Sequence, residues 1–132
     1  LTALDPEDAD LARRLDIVAN AHAQALAALH RYAEAIPVLE NSARVRQEKW
    51  QHAPENWSAA RDYAITSAML ADVRADAGSA AAACANYSSA IDTFERIRAA
   101  GRLSKLDEEH ALALAEQAME RHCPASRGSN RS

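Results

Sequence analysis

Two cysteines, Cys84 and Cys123, and five histidines, His22, His30, His52, His110 and His122, are the first side chains to consider for chemistry. A thiol nucleophile needs a base held beside it and a third group to orient that base. His122 and Cys123 are adjacent, but neighbours on a helix point in different directions, and no third group can be read off. Zinc sites need pairs such as Cys-x-x-Cys or His-Glu-x-x-His, and neither occurs. With Glu116 or Glu120, His122 and Cys123 make only an adventitious ligand set. A phosphate-cradling loop needs glycines, and the chain has three. No catalytic residues, no metal and no cofactor are expected, so the chain reads as a non-enzyme. What remains is recognition by polar side chains, and the relation of the two cysteines.

Charge narrows the partners. Fifteen basic residues face 19 acidic ones, the net charge is -4, and neither sign forms a long block. A nucleic-acid binder carries a basic stripe, so nucleic acid is not expected as a partner. No apolar run approaches the ~20 residues that cross a bilayer, so no direct membrane contact is expected. No signal-peptide pattern is read at the start; residue 1 is Leu rather than Met, so the chain is expected to be a piece of a longer protein. Arg outnumbers Lys and Ala is abundant, which points to the coding bias of a GC-rich bacterial genome.

The elements that must position any site are helices. Ala accounts for 33 of 132 residues, against three Gly, four Pro and six aromatics. Ala is the best helix former, whereas β-branched and aromatic residues favour strands, so the chain is expected to be all-α. Asp5-Pro6-Glu7-Asp8 reads as a helix start, with Asp5 as N-cap. Leu11, Leu15, Val18, Leu26 and Leu29 follow at helical spacing. A second helix is expected from Tyr32 to about Gln51, a third from Pro54 to Ala77, and a fourth from Ser79 to about Ala100. Gly78 and Gly101 end the last two. Ser104 with Asp107 resembles a capping box for a fifth helix, Lys105 to His122. Residues 124–132 form a polar tail.

A shift of 48 lays the chain on itself without gaps. Pro6, Glu7, Ala12, Arg13, Ile17, Ala23, Ala27, Ala33 and Ala35 fall on Pro54, Glu55, Ala60, Arg61, Ile65, Ala71, Ala75, Ala81 and Ala83. A pair of helices cannot bury its apolar face alone, so repeated pairs must stack. The expected units are 6–52 and 54–100, with a cap over 104–122, in one domain spanning 1–123. Trp50 and Trp57 bracket the corner between units as packing anchors.

The segment Arg31-Tyr32-Ala33-Glu34-Ala35-Ile36-Pro37-Val38-Leu39, followed by Ala43-Arg44, resembles the second helix of a tetratricopeptide repeat of the long kinesin-light-chain variety. Leu70-Ala71, Gly78, Ala83, Tyr87 and Ala90-Ile91 fall at that repeat's small and large positions. The resemblance covers roughly residues 9 to 100. The 48-residue step is longer than the family's usual unit, and His30 stands where a turn Gly is common. The opening Asp5-Pro6-Glu7-Asp8 and its counterpart Pro54-Glu55-Asn56 also resemble the C-terminal repeat regions of bacterial Ser/Thr kinases.

The resemblance implies antiparallel hairpins stacked as a short right-handed solenoid, with a concave groove lined by the first helix of each pair. Its candidate groove residues are Arg13, Ile17, Asn20 and Gln24 with Ala27, then Arg61, Ile65, Asp72 and Asp76 with Ala68 and Ala75. Arg suits carboxylate or phosphate and the acids suit a basic residue, so a protein or peptide ligand is implied. Repeats that hold a chaperone's C-terminal carboxylate use Lys, Asn and Arg, whereas Ile65, Ala68 and Met69 occupy that region here, which argues against that activity. The expected function is a non-catalytic peptide-binding scaffold or sensor module. The alternative is a self-associating or structural spacer domain.

Cys84 precedes Gly101 by 17 residues and Cys123 follows Ser104 by 19. On antiparallel helices rising ~1.5 Å per residue, the two lie at similar height. Two readings stay open: a disulfide stapling the cap to the last unit, or a small buried Cys84 with Cys123 as a free thiol. A disulfide favours an oxidising compartment such as the periplasm over the cytoplasm.

Overall fold

Alanine-rich segments with few breakers form helices, and short turns fold each helix back on the one before it, three residues long after the first and third helices and four after the second. The structure is a computed structural model that describes residues 6–123, with the backbone alone at residues 6, 8, 9, 12 and 13. Its helices are α1 (Pro6–Ala28), α2 (Tyr32–His52), α3 (Trp57–Asp76), α4 (Ala80–Ala99) and α5 (Ala113–His122), the last preceded by a π-helical turn, Asp107–Leu112. Among the described residues there is no strand, and the chain is all-α. Asp5 and the tail at 124–132 lie outside the described residues.

The turns after α1 and α3 repeat one hydrogen-bond pattern 48 residues apart. His30 N–H bonds to Ala27 O and Arg31 N–H to Leu26 O; Gly78 N–H bonds to Ala75 O and Ser79 N–H to Arg74 O. Both are Schellman motifs, which place the residue after the helix in the left-handed region. Gly78 sits there at φ +87°, and His30 occupies the same position at φ +61°. Gly101 ends α4 in the same way at φ +72°.

Two helix starts differ from expectation. The third helix begins at Trp57 rather than Pro54, because Asn56 Oδ1 accepts the Ala59 N–H at 3.0 Å and caps it there. The last helix does not run straight from Lys105. Ser104 Oγ accepts the Asp107 N–H at 3.0 Å, and a π turn follows. Bonding from residue i to i+5 brings residues five apart towards one face, and Asp107 and Leu112 are both buried.

Helices pack mainly on their chain neighbours, and α5 also reaches α3. The apolar interior follows that order. Ala23 and Leu26 meet Ala35 and Leu39 with Leu70 and Val73; Ala71, Ala83, Tyr87 and Ala118 join α3, α4 and α5. Trp50, Ala60, Ala64, Phe94 and Leu112 form the third cluster. Ala23 and Ala35 are fully buried, as are their counterparts Ala71 and Ala83, and so permit close helix approach. Ala33 and Ala81, which the 48-residue shift also matches, are exposed instead. Trp50 is buried, donates Nε1–H to Pro54 O at 3.3 Å, and has Arg96 4.7 Å above its ring. Cys84 and Cys123 form a disulfide with Cα atoms 6.0 Å apart, tying the end of α5 to α4.

Candidate functional site

The α3–α4–α5 packing leaves a groove of about 310 Å³. Ile65, Ala68, Met69 and Asp72 enter from α3, which the helical spacing of three and four puts on one side. Tyr87 and Phe94 form the floor from α4, and Leu114, Ala118 and Arg121 line it from α5. Leu114 is 61% exposed at the groove's edge. The groove thus has an apolar body and one polar end.

That polar end is held by a small network. The Tyr87 hydroxyl donates to Asp72 Oδ1, and the His122 ring stacks parallel to Tyr87 at 6.3 Å. Burial pushes the Asp72 carboxyl above the usual aspartate value; the Tyr87 hydrogen bond opposes this and nearby Asp76 adds to it. Burial and the bond to Asp72 likewise raise Tyr87, which stays a neutral donor. The Cys84–Cys123 bridge lies directly after His122 and fixes the α5 terminus that carries Arg121 and His122.

The candidate groove residues separate on this framework. Ile65 and Asp72 line the groove, and Asp76 stands exposed one turn beyond Asp72. Gln24 reaches across from α1 to Met69, its Nε2 3.6 Å from the sulfur. Ile17 is exposed on α1, whereas Asn20 is buried and its side-chain oxygen has no hydrogen-bond partner among the described residues. Arg13 has no described side chain. Arg61 is engaged elsewhere: its Nε and Nη2 donate to the two Asp107 oxygens at 2.5 and 3.1 Å. That fork draws Asp107 below the usual aspartate range and raises Arg61. Arg61 therefore clamps α3 to the π turn.

Residues missed by sequence reasoning are Tyr87, Phe94, Leu114 and Arg121. Ala111, Leu114, Ala115, Ala118 and Arg121 recur along one helix face, a signal that could have placed α5 as another groove-lining helix. Among the described residues, no group of three His, Cys, Asp or Glu could hold a metal ion, and no helix is long and apolar enough to cross a membrane.

Compared with models of known protein families, with curated proteins and with solved structures, the chain matches none. The likeness to tetratricopeptide repeats rests on the motif residues themselves.

Proposed function

We propose that this chain is a non-catalytic peptide-binding module of tetratricopeptide type, part of a larger bacterial protein. The observation that supports this best is the α3–α5 groove, where exposed Leu114 and partly buried Met69 and Ile65 lead to the Asp72 carboxylate. A peptide ligand offers such a groove an apolar anchor side chain and a basic residue for Asp72 and Asp76. The stacking of pairs as a right-handed solenoid, with units at 6–52 and 54–100 and a cap over 104–122, belongs to the same reading. The 48-residue recurrence of the Schellman turns supports it. The Cys84–Cys123 bridge favours an oxidising compartment, the periplasm before the cytoplasm.

The test is selection from a displayed peptide library followed by calorimetric titration. Selected peptides should carry an apolar residue beside Lys or Arg. Their binding should weaken at least roughly tenfold in Leu114→Glu, since a charge would then stand in the apolar body of the groove. Selection that yields no binder, or binders indifferent to this substitution, contradicts the reading. A second reading, a self-associating or spacer domain without a peptide ligand, is favoured by a separate observation. Leu11, Leu15, Val18 and Leu29 of α1 face solvent.

A further inference from the structure

Helix α1 carries three faces with different fates. Ala23 and Leu26 turn inward to α2 and α3, and Gln24 reaches Met69 on the groove side. The third face is Leu11, Leu15, Val18, His22, Ala25 and Leu29, and all six are exposed. Leu11, Leu15, Val18 and Leu29 are 55%, 60%, 64% and 66% exposed. Their spacing alternates four and three along the whole helix, which is the seam of a coiled coil. A purely solvated helix face has no reason to keep leucine at that period.

We infer that this seam pairs with the same seam of a second copy, as an antiparallel two-fold dimer. The reason for a second copy is that the stripe is complementary to itself. A two-fold axis beside residue 20 sets Leu11 against Leu29 of the second copy, Leu15 against Ala25, and Val18 against His22. Every contact then occurs twice, as an isologous interface requires. Large side chains meet small ones at Leu15 and Ala25, and Ala21 and Ala28 on the flank let the helices approach closely. Charge fits as well. Arg14 comes beside the carbonyl end of α1 in the second copy, where the helix dipole favours a cation. Asp10, which pairs with Arg14 at 2.9 Å within its own helix, comes opposite His30. No like charges are opposed along the seam.

The size of the contact fixes its strength class. A helix of 23 residues is about 34 Å long, and a contact strip about 10 Å wide covers roughly 350 Å² per copy. That is under half of the ~800 Å² per partner of a standard stable interface, so the dimer is a weak one, dissociating in the micromolar range or above. This inference gives the self-association reading a definite geometry. It is independent of whether the α3–α5 groove holds a peptide.

Sedimentation equilibrium of the 132-residue chain tests it, from about 5 µM to about 500 µM, a range that brackets weak association. The expected result is a mass that rises with concentration from 14.3 kDa towards twice that value. Leu15→Glu should weaken association at least roughly tenfold, because it places a charge in the apolar seam. His22→Leu should tighten it several-fold, and Val45→Glu, at an exposed apolar residue of α2, should leave it unchanged. The tightening by His22→Leu keeps the test decisive even if Leu15→Glu loses helicity. A monomer at every concentration overturns the inference and leaves the stripe to another partner. A dimer that ignores Leu15→Glu and His22→Leu, or one broken equally by Val45→Glu, also overturns it. Peptide titrations of the monomeric variant then report on the groove separately.

Discussion

His30 and Gly78 hold the same backbone conformation at the same place in the two hairpins, and only one of them is suited to it. A left-handed residue with a Cβ costs about 1 kcal/mol relative to glycine. A Cβ built on Gly78 meets nothing within 4 Å, so the cost of Gly78→Ala is that of the backbone alone. Urea unfolding should show Gly78→Ala destabilised by about 1 kcal/mol. His30→Gly should be stabilised by up to about the same amount, reduced by loss of the exposed 2.7 Å hydrogen bond between His30 Nδ1 and the Tyr32 hydroxyl. Arg61 and Asp107 give the second residue-scale expectation. Asp107 is buried with its folded-state pKa depressed, so the pair's stabilisation is fully present above the ordinary aspartate pKa of 3.8 and is lost as pH falls through the lowered value. Arg61→Ala should cost about 2 kcal/mol at neutral pH, and the difference from wild type should close in acid. A difference that is constant with pH would count against the clamp. Asp72 runs the other way: its raised value means that its charge opposes folding above the folded-state pKa. Asp72→Asn should therefore gain stability at neutral pH and lose that gain in acid.

At the scale of the element, the two hairpins solve one packing problem with different chemistry. In the first, Asp16 accepts from Ser42 Oγ at 2.9 Å and from Arg46 at 2.6 and 3.0 Å, and Arg46 also donates to Thr66. This network joins α1, α2 and α3. Forty-eight residues on, the same positions are Ala64, Ala90 and Phe94, all fully buried. The apolar version is the simpler, because a partly buried ion pair loses much of its Coulombic gain to desolvation. Arg46→Ala alone should cost about 2–3 kcal/mol by leaving Asp16 with Ser42 but no cation, and Thr66 without the guanidinium. The combined change Asp16→Ala, Ser42→Ala, Arg46→Phe should come within about 1–2 kcal/mol of wild type by thermal unfolding. A combined variant less stable than Arg46→Ala would show that the hairpins are not equivalent. The helices were legible in the sequence because the Ala-rich period and the glycine stops are local signals. Asp107 was not, because it lies 46 residues from Arg61 and suggested a capping role. The π turn was equally hidden, since it answers a tertiary demand to bury Asp107 and Leu112 together. Asn20 matched a groove position by alignment, yet its burial depends on how α1 packs, which spacing alone does not specify.

At the scale of the whole molecule, the helix order creates the groove and the disulfide holds its polar end. The sequence placed Ile65 and Asp72 on one face of one helix, and that face does line a cavity. The opposing wall stayed unread because α5 looked like a solvating cap rather than another lining helix. The bridge closes a span of 39 residues, and the loop-entropy relation gives about 4 kcal/mol for a loop of that length. Reduction, or Cys84→Ser with Cys123→Ser, should lower unfolding stability by up to about that amount in urea titrations. Because His122 and Arg121 immediately precede Cys123, the same change should weaken ligand binding at the Asp72 end. The central claim is that the α3–α5 groove is the binding surface. Its most direct measurement is a methyl NMR titration of the chain with a selected peptide. Saturable shifts are expected at Ile65, Met69 and Leu114, with Leu11 and Leu29 unmoved at a protein concentration where the chain is monomeric. Shifts confined to α1, or spread over the α2 and α4 outer faces, would contradict it.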